Sequence, residues 1–119
     1  MPRTPDGCFS RGQVAAAAGI PKSTWNAWEW RGQLPVRPAG GDSRYRRLET
    51  IDAIRVAAQH ALTLSGIKAS AATLIVRAIQ EGEYPEALSI PSGAPGVQIT
   101  MDVRAIAEQV QERLGGTQH

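Results

Sequence analysis

Lys22, Ser23 and Asn26 place an ammonium, a hydroxyl and a carboxamide within five positions. These are short donors and acceptors, of the kind that hydrogen-bond to the polar edge of another molecule. Further on, Arg37, Arg44, Arg46 and Arg47 fall within eleven positions, and a guanidinium is a rigid fork that pairs with phosphate or carboxylate oxygens. Catalytic chemistry finds no comparable set. His60 and His119 have no ligand type at i+3 or i+4, so a metal site is not expected. No Ser/His/Asp or Cys/His combination has plausible spacing, and the acidic residues are scattered. Cys8 is the single cysteine, which excludes an internal disulfide, a zinc knuckle and an iron–sulfur cluster. Neither an enzyme nor a bound cofactor is expected.

The chain has 119 residues, 42% hydrophobic and 20% charged, the balance of one soluble globule. No apolar run approaches the roughly 20 residues that span a bilayer, and Met1 leads into Pro2 and Arg3 rather than an apolar signal core. A cytoplasmic location is the expectation, in keeping with the lone cysteine. Charge is uneven: nine Lys and Arg face five Asp and Glu over residues 1–60, against four and six over 61–119. A polyanion facing the first half would account for this, as would a solvated basic face.

These side chains need elements to hold them. Ser10 and Gln13 have capping-box spacing, and Val14, Ala17 and Ala18 give a short first helix its apolar stripe. Gly19 supplies a left-handed exit, and Pro21 suits the entry of a second helix from about Lys22 to Arg31, ended by Gly32. At about 100° per residue, Trp25 and Trp28 share one side of that helix. Lys22, Ser23, Asn26, Ala27 and Trp30 share the other. The indoles of Trp25 and Trp28 are core; Trp30 faces outward or lies beneath the next extended segment. Extended residues Leu34–Pro38, a bend at Gly40-Gly41 and extended residues Arg44–Leu48 predict a β-hairpin. Thr50 is placed to cap a third helix, with Asp52 in its first turn and a stripe of Ile51, Ile54, Ala58, Ala61 and Leu62. After a turn about Gly66, residues 69–80 predict a fourth helix, apolar around most of its circumference and so buried on two sides. Glu81–Pro85 is a polar joint. Two short β-like runs, Ala87–Ile90 and Val97–Thr100, lead to Asp102 as the cap of a last helix striped by Val103, Ile106, Ala107, Val110 and Leu114.

Two short helices about a Gly19–Pro21 turn, the second showing small polar residues outward, fit a helix-turn-helix, and the arginine-bearing hairpin fits a wing. The blocks Phe9-Ser10-Arg11-Gly12-Gln13-Val14-Ala15, Gly19-Ile20, Thr24-Trp25-Asn26-Ala27-Trp28-Glu29, Gly32-Gln33-Leu34-Pro35 and Tyr45-Arg46-Arg47-Leu48 resemble the N-terminal domain of MerR-type transcriptional regulators. The likeness covers about residues 9–80 and extends to the truncated relatives among excisionases. It implies a winged helix-turn-helix whose second helix enters the DNA major groove, within a homodimer on a palindromic site. Carried over by position, it implies that Lys22, Ser23, Thr24, Asn26 and Ala27 face DNA while Arg44, Tyr45 and Arg46 hold phosphates. Arg11, Trp30, Arg37 and Arg47 complete the candidate DNA contacts. Two positions depart from the family pattern: Asn26 stands where a basic residue is usual, and Ala27 where an aromatic is. Fewer anchors on the second helix shift weight to the wing.

The expected architecture is therefore mostly α: a winged helix-turn-helix, two further helices, and a C-terminal β-hairpin plus helix. Residues 1–81 form the DNA-binding domain, and residues 82–119 a C-terminal hairpin and amphipathic helix whose stripe either serves as a dimerisation element or seals the monomer's own core. The expected function is sequence-specific binding of double-stranded DNA in transcriptional regulation. Two rivals remain: an architectural protein of phage or mobile elements (an excisionase or a packaging recognition subunit), and a protein–protein adaptor. For Glu29, bonding to the wing or to a neighbouring amide is the expectation.

Overall fold

The computed structural model describes residues 9–36, 48–91 and 94–115. It contains five helices and one antiparallel hairpin: α1 (Arg11–Ala18), α2 (Lys22–Trp30), α3 (Thr50–Leu64), α4 (Ala69–Val76), β1 (Leu88–Pro91), β2 (Gln98–Met101) and α5 (Val103–Gly115). The predicted wing, with Arg37, Arg44, Tyr45, Arg46 and Arg47, lies outside the described residues.

Local chemistry sets most boundaries. The Ser10 hydroxyl accepts the Gln13 amide at 3.1 Å, and the Gln13 carboxamide accepts the Ser10 amide at 2.8 Å. This reciprocal pair satisfies two amides that have no partner within the helix. At the exit, Gly19 has φ +76°, and the Ile20 amide reaches back to the Ala15 carbonyl at 3.0 Å. The same left-handed exit recurs at Gly32, φ +68°, where the Gln33 amide donates to the Trp28 carbonyl at 2.8 Å. Asp102 caps α5, its Oδ1 accepting the Ala105 amide at 2.9 Å.

Three expectations need correction. Thr50 is the first residue of α3, and Glu49 is its cap. The Asp52 carboxylate, fully buried, accepts the Glu49 amide at 2.7 Å, so the chain turns one residue earlier than a Thr50 cap would allow. The fourth helix stops at Val76 rather than running to Gln80. Arg55 holds the Ile79 carbonyl through Nε at 3.1 Å and Nη2 at 2.6 Å, and Ile79 is buried. Past Val76 the chain tightens, Ala78 donating to the Ile75 carbonyl at 3.2 Å and Ile79 to the Val76 carbonyl at 3.0 Å, the i→i+3 pattern that closes a helix end. Nor is α4 covered on two sides within the chain. Ala72, Thr73 and Val76 are buried, but Ala71 is exposed and Leu74 is 69% exposed.

The core is organised about α3. One face, with Ala53, Ile54 and Val56, packs with Phe9, Val14, Ala17, Trp25, Trp28, Leu34 and Leu48, and with Ala107, Val110 and Leu114 of α5. The other, with Ile51, Ala58 and Leu62, packs against Ala72, Val76 and Ile79 and the hairpin residues Ile90 and Met101. Pairing of Leu88 with Met101 and Ile90 with Ile99 puts these four on the face toward that cluster, as the two-residue period of a strand requires. The stripe of α5 is thus spent inside the chain, and residues 82–115 share their core with the N-terminal half.

Candidate nucleic-acid interface

The outward face of α2 is the feature to build from. Trp25 and Trp28 are 3% and 5% exposed, sunk into the core cluster that also holds Val14, Leu34 and Ile54. With the indoles inward, helical geometry turns Lys22, Ser23 and Asn26 to solvent, and all three are exposed. Trp30 is 90% exposed. Thr24 and Ala27 are half-buried and form the flanks of this face rather than its centre.

Two further contacts fix where the face points. Gln59, buried on α3, donates Nε2 to the Gln33 carbonyl at 2.8 Å, holding the exit of α2. Arg113 in the last turn of α5 donates Nη1 to the Ala17 carbonyl at 3.0 Å. That carbonyl belongs to the C-terminal turn of α1, where a cation also meets the negative end of the helix dipole. A single polar signal marks the first of these: Gln59 interrupts an apolar stripe, three residues from both Val56 and Leu62. The Arg113 contact spans 96 positions, and no local pattern announces it.

Arg11 and Glu29 form an ion pair at 3.3 Å across the α1–α2 junction. The Arg11 side chain is 59% exposed, so the pair is solvated and contributes little to stability, roughly 0–1 kcal/mol. It does place a guanidinium beside α2. Arg11, Ala15 and Ala16 of α1 and Lys22, Trp25 and Asn26 of α2 line a cleft of about 490 Å³. Its cationic side chains belong to Arg11 and Lys22, and its alanines leave room for a close approach. Of the candidate residues, the structure brings Arg11, Lys22, Ser23, Asn26 and Trp30 to one surface region about α2.

Among the described residues no cluster of three His, Cys, Asp or Glu is placed to hold a metal ion, and no helix is long and apolar enough to cross a membrane. A buried indole N–H, Trp25 Nε1, has no hydrogen-bond partner. Comparison with protein-family models, curated proteins and solved structures finds no match.

Proposed function

We propose that this chain binds double-stranded DNA sequence-specifically, as a winged helix-turn-helix regulator of transcription acting as a homodimer. One observation carries the reading: α2 turns two tryptophans inward and leaves Lys22, Ser23 and Asn26 exposed on its other face. A major groove about 12 Å wide admits a helix whose outer side chains are short and hydrogen-bonding. The Asn26 carboxamide suits an adenine edge, which offers one donor and one acceptor. The arginines at 37, 44, 46 and 47 supply phosphate contacts, which position the protein and carry most of the affinity.

Selection of bound sequences from a random duplex pool, at two salt concentrations, tests this. A single enriched palindrome, bound more weakly at the higher salt, is the expected result. No enrichment at either concentration would reject sequence-specific recognition. Phased repeats in the enriched pool would instead assign an architectural role.

A further inference from the structure

Self-association, which the DNA-binding proposal includes, needs a surface, and the stripe of α5 does not supply it. Val103, Ala107, Val110 and Leu114 are all buried against the chain's own helices. The largest uncovered aliphatic feature on α4 is Leu74, 69% exposed. The next residue, Ile75, joins Ala78, Ile79, Pro85 and Leu88 around a groove of about 360 Å³, with Glu83 also lining it. A projecting residue is therefore followed directly in the chain by the first residue of a recess.

We propose that this face is a two-fold interface between copies of the chain, Leu74 of each copy entering the groove of the other. The adjacency of knob and recess is what a two-fold axis requires. An axis normal to the surface and midway between them brings each knob over the partner's recess, and the contact closes as a dimer instead of propagating. Charge agrees with this occupant. Exposed Arg77 follows Leu74 by three residues, and exposed Glu83 lines the groove, so the side bearing the knob carries a cation and the recess an anion. The same two-fold operation brings opposite charges into reach twice.

Sedimentation velocity of the full chain without DNA tests the assignment, and so separates it from the DNA-binding reading. Wild type should sediment as a dimer and Leu74→Glu as a monomer whose melting curve matches that of wild type diluted until it dissociates, since the side chain is exposed and only the stabilisation by association is lost. Arg77→Glu and Glu83→Arg should each weaken association on the order of tenfold, by juxtaposing like charges. The double exchange should restore it. A monomeric wild type, a dimeric Leu74→Glu, or a double exchange no tighter than either single variant would each overturn the proposal. Melting curves at dilutions where every variant is monomeric separate weakened association from damaged folding, because Arg77 also donates to the Leu34 carbonyl at 3.4 Å.

Discussion

Trp25, Trp28 and Trp30 share one side-chain chemistry and occupy two environments, so they respond differently to the same change. Truncating Trp25 or Trp28 to Ala empties the core and should cost about 3–5 kcal/mol in urea denaturation. Trp30→Ala should stay within about 0.5 kcal/mol of wild type, as a surface substitution. The contrast also has an optical form. Iodide should quench the Trp30 component alone, Trp30→Phe should abolish that quenching, and a cognate duplex should protect it if α2 lies in the groove. Asn26 belongs to the same scale but to binding. Asn26→Ala should leave stability unchanged and relax preference at one base pair, by on the order of 1–3 kcal/mol. A uniform weakening across all sequences would assign Asn26 to the backbone instead.

Elements are held by their ends, and the α1–α2 junction shows how. Gly19→Ala forces an L side chain into φ +76° with its Cβ 3.3 Å from Arg113 Nη1. The arginine tip can move, so backbone strain dominates, about 1–2 kcal/mol. Thermal melts of Gly19→Ala with and without Arg113→Ala should show nearly the same increment. The DNA-binding proposal gives the arginines at 44, 46 and 47 a collective role. Replacing Arg44, Arg46 and Arg47 by Gln should weaken all duplexes alike and lower the log–log salt slope by about 0.9 for each phosphate no longer neutralised. Elements with local stop signals are readable from sequence: the Ser10–Gln13 cap, the exits at Gly19 and Gly32, and the Asp102 cap all occur where spacing places them. The end of α4 is not readable in this way, because the chain just past it is held by Arg55, which reaches the Ile79 carbonyl across twenty-four positions. The outward set on α2 is legible from the helical period, whereas the Arg11–Glu29 pair across eighteen positions is not.

At the scale of the whole molecule, the segments on either side of the polar joint share one core. A chain ending at Glu81 loses Ala107, Val110 and Leu114 from one side of α3 and Ile90, Met101 and Val103 from the other. It should lose its cooperative melt, so its sedimentation would report unfolding and not a missing dimer surface. Circular dichroism with temperature checks this, and a truncated chain that melts as wild type would refute the shared core. The Arg113 bond to the Ala17 carbonyl carries a consequence for synthesis. The junction ahead of α2 is splinted by a side chain made almost a hundred residues later, so a nascent chain on the ribosome passes α1 and α2 into solution without their brace. Under the DNA-binding proposal, competence to grip a target would then arrive late, with the final helical turn.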